Sequence, residues 1–207
     1  MLARLKYLTA GESHGRGLTA LIEGIPAGLS LEMKRDVDPE LERRQGGYGR
    51  GRRMQIENDR AELWSGVRLG ETLGSPIVML IWNRDWENWT TAMSHLPPAD
   101  DTNPKALRPH YLPRPGHADL VGVLKYDRRD VRDILERASA RETAARVACA
   151  AVAKRFLSEF GIQVVSHVVS IGPIEAEISE LPDDINRVTD SNPVRCLDEG
   201  AATRMMA

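Results

Sequence analysis

Small and apolar residues recur at helical spacing from Ala144 to Phe156, and this stripe constrains the fold more than any other feature of the chain. Ala144, Val147, Ala148, Ala151, Val152 and Phe156 share one face of a helix of about 3.6 residues per turn. Side chains this small suit close packing against a sheet or a second helix. Ser139-Ala140-Arg141-Glu142 fits a capping box at the start, with Ser139 at the cap and Glu142 reaching back to it. Gly161 is a natural stop. Cys149, within Ala148-Cys149-Ala150-Ala151-Val152, reads as a small core residue rather than a nucleophile.

The segments around this helix predict short strands. Residues 4–10 and 18–25 read as strands, broken by the loop Gly11-Glu12-Ser13-His14-Gly15, and Pro26-Ala27-Gly28 is a turn. Asp36 to Arg44 reads as a short helix with Asp36 or Asp38 near its start. Residues 54–57 and 61–65 read as a hairpin around Asn58-Asp59, and residues 76–82 and 162–171 as further strands. His167 falls in the last of these and reads as a packed histidine. The Pro-, Asp- and Asn-rich stretch from Pro97 to Pro115 is long for a structureless connection and points to a functional loop. Asp190-Ser191-Asn192-Pro193 reads as a turn, and a helix with acids at its start follows from Asp198. Short mixed strands with a few helices give the α+β class.

Composition narrows the function. The formal net charge of −2 over 207 residues argues against bulk nucleic acid or an anionic membrane as the main partner. Any basic site is therefore local. Two cysteines give no disulfide framework. The first residues lack the apolar stretch of a signal peptide, and Ile77 to Trp82 is too short to span a bilayer. The expected compartment is the cytoplasm.

Four segments carry side chains suited to chemistry. In Gly11-Glu12-Ser13-His14-Gly15, glycines let the backbone turn sharply and present Ser13 and His14 at a mouth. His14 reads as a general acid there, or else as an exposed loop histidine. The run Arg43-Arg44-Gln45-Gly46-Gly47-Tyr48-Gly49-Arg50-Gly51-Arg52-Arg53 sets five arginines among four glycines. It suits bidentate phosphate or carboxylate contacts. Two other readings stand: an Arg-Gly nucleic-acid segment with Tyr48 stacking, or a solvated loop. An ordered run of arginines needs a counter-charge. Pro113-Arg114-Pro115-Gly116-His117-Ala118-Asp119 puts Asp119 close enough to orient His117. No second histidine or cysteine stands at ligand spacing, so no metal is expected. Arg137-Ala138-Ser139-Ala140-Arg141-Glu142 puts two arginines beside a helix start, which is either an anion site or an ordinary capped helix.

Together these segments resemble the chorismate synthase family. The resemblance rests on Tyr7 to Gly15, Arg44 to Met54, Ser65-Gly66-Val67, Gly74-Ser75-Pro76-Ile77, Asn83-Arg84-Asp85, Arg114 to Leu120 and Ser139 to Val147, in the family's order and near its spacing. It runs along nearly the whole chain and fades after about Ile171. It implies a lyase of aromatic amino-acid biosynthesis that makes chorismate from 5-enolpyruvylshikimate 3-phosphate by 1,4-elimination of phosphate. Reduced FMN would be required, and NADPH would serve members that reduce their own flavin. By resemblance, His14 is the acid at the departing phosphate and His117 the acid at the reduced flavin. Ser13, Arg44, Arg50, Arg53 and Arg141 would bind substrate. Arg137, Ala138 and Ser139 would contact FMN, and Arg44 and Arg50 would contact NADP. Arg44 and Arg53 are expected to point at ligand, with little effect on stability.

The implied fold is a β-α-β sandwich assembled as a homotetramer. Residues 1–207 would form the N-terminal part of a single catalytic domain of this type. The chain reaches Ala207 roughly where the first half of a family member ends, so the sandwich is expected to be incomplete. Later flavin segments and a catalytic aspartate would be absent, and the isolated chain is expected to be inactive.

Overall fold

A computed structural model describes residues 4–50 and 57–207. The first strands are β1 (Lys6–Ala10) and β2 (Gly17–Glu23). A π-helical turn at Met33–Val37 leads into α1 (Asp38–Gln45), with Pro39 in its first turn. Then come β3 (Glu62–Ser65), the small pair β4 (Val67–Arg68) and β5 (Glu71–Thr72), and β6 (Ile77–Trp82). A 3-10 turn at Arg84–Asn88 opens the long loop. Helices α2 (Asp119–Tyr126), α3 (Arg132–Ala138) and α4 (Glu142–Ser158) follow. The chain continues through β7 (Ser170–Ile171), β8 (Ile174–Glu175), α5 (Ile185–Asp190) and α6 (Glu199–Met206).

The architecture is α+β. One antiparallel sheet has the order β1-β2-β6-β3, and helices cover one of its faces. Alternation in β2 explains the layering. Leu18, Ala20 and Ile22 are buried and pair with Ile81, Met79 and Ile77, so both strands turn the same face to the helices. Helix α4 lies on that face with Ala144, Ala145, Ala148, Cys149, Ala151 and Val152 buried, and α1 packs beside it. Each large buried side chain such as Ile22 or Ile81 contributes on the order of 1.5–3 kcal/mol. The small stripe is what lets backbone approach backbone: the Cys149 thiol lies 3.6 Å from the carbonyl of Leu21. Burial pushes that thiol up to about 11, which fits a core residue and not a nucleophile.

Several elements differ from the sequence reading. Helix α4 starts at Glu142 with Arg141 at the cap position, and the capping box does not form. The Glu142 carboxylate instead accepts from the Thr9 hydroxyl (2.6 Å) and Arg146 Nε (2.7 Å), because the tertiary contact to β1 outcompetes the local one. The arm 54–57 of the expected hairpin lies outside the described residues except for Glu57. The other arm, β3, pairs with β6. Residues 162–171 form no long strand; only Ser170–Ile171 is paired, with β8. Their backbone groups find side chains and loops instead. The Val168 amide donates to the Arg195 carbonyl and Asn186 Nδ2 to the Val164 carbonyl. His167 is half-buried there, and its buried Nδ1 has no partner among the described residues. Helices α2 and α3 are not in the sequence reading, although Val131, Ile134, Leu135 and Ala138 recur at helical spacing.

Candidate active site

The loop joining β1 to β2 is shaped by glycine. Gly11 has φ +98°, and a Cβ there would sit 2.3 Å from the Gly17 carbonyl oxygen. Asn83, just after β6, holds the loop from below: its Nδ2 donates to the carbonyls of Glu12 (3.1 Å) and Gly15 (2.6 Å). This delivers Ser13 and His14 to α3. The Ser13 amide donates to the Glu136 carbonyl (2.9 Å), and the His14 amide to Glu136 Oε2 (2.9 Å). Nδ1 of His14 lies 2.8 and 3.0 Å from the two carboxylate oxygens of Glu136. The imidazole stacks on Trp89, with ring centroids 4.0 Å apart and planes inclined by 29°. Arg132 sits 5.2 Å over the same Trp89 ring, and its Nη1 is 3.4 Å from Glu136 Oε1. Burial alone would push the Glu136 carboxyl up, but its bonds to His14 and the charges of His14 and Arg132 hold it below the usual range. It is an anion against the ring. An open cavity of about 630 Å³ adjoins this cluster, with Glu12, His95, Arg132 and Glu136 in its wall.

His117 is held by its own neighbours. Gly116 takes φ +71°, and the His117 amide donates to the Arg114 carbonyl (3.3 Å). Nδ1 of His117 meets Oδ1 of Asp119, a residue buried at the start of α2. The Arg114 amide (2.9 Å) and Nε (3.0 Å) both donate to Asp119 Oδ2. The Arg114 bonds, opposed by burial and aided by His117, hold the Asp119 carboxyl at about 2. Arg114 Nη2 also lies 3.0 and 3.1 Å from the two ring nitrogens. The sequence reading that Asp119 could orient His117 matches this contact.

The arginines divide into two groups. Arg44 Nη2 donates to Asp59 Oδ2 at 2.7 Å, and Arg141 Nη1 meets Asp59 Oδ1. Arg141 also binds Asn83 Oδ1 through Nε (2.9 Å) and lies 3.4 Å from Glu57 Oε2. The side chains of Arg44, Arg141 and Asp59 are 10%, 4% and 0% exposed. The expectation that Arg44 faces ligand alone, with little effect on stability, is therefore corrected. A buried guanidinium needs an anion, and Asp59 supplies it. Arg50 is exposed, with Nε donating to the Gly46 carbonyl at 2.8 Å. Arg53 lies outside the described residues.

A family model for chorismate synthase matches residues 5–207. The chain is 54% identical over 205 residues to the chorismate synthase of Bacillus subtilis (strain 168), and 53% identical over 206 residues to that of Symbiobacterium thermophilum. Each alignment covers 98% of this chain and 52% of the relative. A crystal structure of chorismate synthase superposes with a TM-score of 0.72 at 43% identity, covering 99% of this chain and 52% of that one. This chain belongs to the chorismate synthase family. It spans about half the length of the curated relatives it matches.

The segment that the chorismate synthase resemblance assigns to flavin, Arg137 to Ser139, ends α3 beside His14. Arg137 Nη2 donates to both the carbonyl and the hydroxyl oxygen of Thr9 (2.7 Å each), which ties α3 to β1. Its Nη1, buried and 3.5 Å from Glu142 Oε1, makes no hydrogen bond among the described residues. The Arg137 side chain is 42% exposed, and its positive charge at this edge fits an anionic cofactor. Ala138 is exposed, and Ser139 Oγ lies 3.4 Å from the Arg141 amide.

Glu136, Trp89, Asp59 and Glu57 were not singled out from the sequence. Glu136 stands one residue before the flavin segment, but its partner is 122 positions away, so no local pattern marks it. The demand of the arginine run for a counter-charge is the one signal that pointed toward Asp59.

Proposed function

We propose that the protein converts 5-enolpyruvylshikimate 3-phosphate to chorismate, and that this chain carries the acids and much of the cation set for that 1,4-elimination. The observation that carries the reading is the pair of histidines, each with its own buried carboxylate: His14 on Glu136 and His117 on Asp119. With Nδ1 turned to a carboxylate, Nε2 is the ring nitrogen left to exchange a proton. His14 gives its proton to the oxygen of the departing phosphate as the C–O electron pair moves onto that oxygen. The ring C–H electron pair becomes a new ring double bond as its proton passes to a base in the assembled site, which completes the elimination. His117 would hold a proton for the flavin when it is bound.

Reduced FMN, when bound, supplies an electron-rich ring that assists the departure of phosphate without net redox change. Arg137, Ala138 and Ser139 would hold it, with the Arg137 guanidinium sharing its charge between Glu142 and the cofactor. Arg50 and Arg53 would meet the phosphate and carboxylates of the substrate; Ser13, expected at the mouth of the loop, is instead buried beside His14. Arg44 and Arg141, both paired with the buried Asp59, would add positive charge behind the substrate and not contact it with a free edge. NADPH would use Arg50, the more exposed of the two arginines assigned to it. The active assembly would be a cytoplasmic homotetramer. No helix among the described residues is long and apolar enough to cross a membrane.

The nucleic-acid reading of the Arg-Gly segment draws no support. Arg44 is neutralised by Asp59, and Tyr48 engages the C-terminal part of the chain through the Pro193 and Met206 carbonyls. The test is a chorismate assay with 5-enolpyruvylshikimate 3-phosphate and supplied reduced FMN. Chorismate and phosphate released in equal amounts support the proposal. Salt-dependent binding of single-stranded RNA without turnover contradicts it.

A further inference from the structure

The residue that holds His14 is itself held in a closed circuit. Glu136 is 2% exposed. Its main-chain carbonyl accepts the Ser13 amide, its Oε2 accepts the His14 amide, and both carboxylate oxygens face His14 Nδ1. Arg132, one turn earlier on α3, braces Oε1 from the far side and lies over the face of Trp89. Trp89 covers one face of the His14 ring and is itself anchored by Nε1 donating to Asp85 Oδ2 at 2.8 Å. The circuit His14–Glu136–Arg132–Trp89 fixes the imidazole by an edge and by a face.

We infer that Glu136 is a positioning residue that locks His14 in the tautomer protonated at Nδ1. The argument is one of donors and acceptors. An ionised carboxylate can only accept, so the nitrogen facing it must carry a proton. With Nδ1–H committed to Glu136, Nε2 is the nitrogen that gains and loses the proton. After His14 protonates a leaving oxygen, the neutral ring left behind is already the Nδ1–H form that Glu136 stabilises. No ring flip or tautomer exchange separates one proton delivery from the next. The Trp89 stack opposes the flip about χ2 that would put the Cδ2–H edge, and not Nδ1, against Glu136. The inference about the ring stands on this chain's own geometry. Its significance for catalysis rests on the acid role proposed for His14.

The test uses the 207-residue chain, with long-range nitrogen–proton correlation spectra of the His14 ring followed toward alkaline pH until its signals stop changing. Without any substitution, Nδ1 should show the protonated signature and Nε2 the unprotonated one. Glu136→Gln keeps the shape but offers an amide that can donate as well as accept. It should convert the single tautomer into a mixture with a substantial Nε2–H population, and Glu136→Asp should restore part of the preference. An unsubstituted chain whose His14 is mainly Nε2–H would overturn the inference, whether or not the variants fold. An unchanged single tautomer in a folded Glu136→Gln chain would overturn it too. Turnover plays no part in this readout, so the tautomer lock and the acid assignment can fail separately.

Discussion

The two histidine sites share one plan, a ring nitrogen against a buried carboxylate braced by an arginine, yet they are assembled in opposite ways. At His117 the carboxylate is two positions away and the arginine three, all within one loop and the first turn of α2. At His14 the carboxylate is 122 positions away, and Trp89 and Arg132 come from two further places in the chain. The His14 loop also hangs on Asn83, which is tied through Arg141 to Asp59. The contrast separates two sources of order. The His117 site is set by a short stiff loop once that loop is formed. The His14 site exists only when β1, β6 and α3 have packed. Loss of tertiary packing should therefore dissolve the His14 site first.

The largest effect is expected from Asp59→Ala. It leaves Arg44 and Arg141 buried without their shared anion and should cost about 3–5 kcal/mol. Thermal melts should show a clear drop. Ring spectra below the melt should show His14 altered and His117 unchanged; both rings shifting together would break the contrast. A smaller effect is expected from Gly122→Ala, where α2 meets α3. A Cβ there would lie 2.2 Å from Ile134 Cγ2, so one helix must shift, at a cost of about 1–3 kcal/mol. Because α2 carries Asp119 and α3 carries Glu136, this variant should disturb both rings, and a change confined to one would show that the helices do not couple the sites.

The smallest effect is on acid stability. Asp119 titrates at about 2 in the folded chain, below the ordinary carboxylate value near 4. A folded value below the unfolded one means that the ionised form favours folding. Its contribution is complete above the unfolded value and fades as pH falls toward about 2. Glu136 acts in the same direction. Denaturant midpoints measured down this range should fall less steeply for Asp119→Asn than for the unsubstituted chain, and equal slopes would show that Asp119 is not held as described.

What could be read in advance follows the same division. The α4 stripe, β1, β2 and β6 were legible because their periodicity is written in consecutive residues. So was the pairing of His117 with Asp119. The capping box at Ser139 misled because Glu142 finds Thr9 and Arg146, partners outside the motif. The apolar run 162–171 misled because strand formation needs a neighbour, and its backbone groups bond to Arg195 and Asn186 instead. Glu136 could not be read locally, since nothing near it in sequence announces a contact with His14. The arginines were legible as a cation cluster but not as a divided one. Only the fold tells Arg44, bound to Asp59, from the exposed Arg50.

The central claim is that His14 and His117 serve as the acids of the elimination. The most direct measurement is the rate of chorismate formation in the complete enzyme, with reduced FMN supplied, for the unsubstituted protein, His14→Ala and His117→Ala, each checked by thermal melt for retained folding. The account predicts that each substitution lowers turnover by roughly 10²–10⁴-fold, the range for loss of a general acid. Near-normal turnover in both folded variants would contradict it.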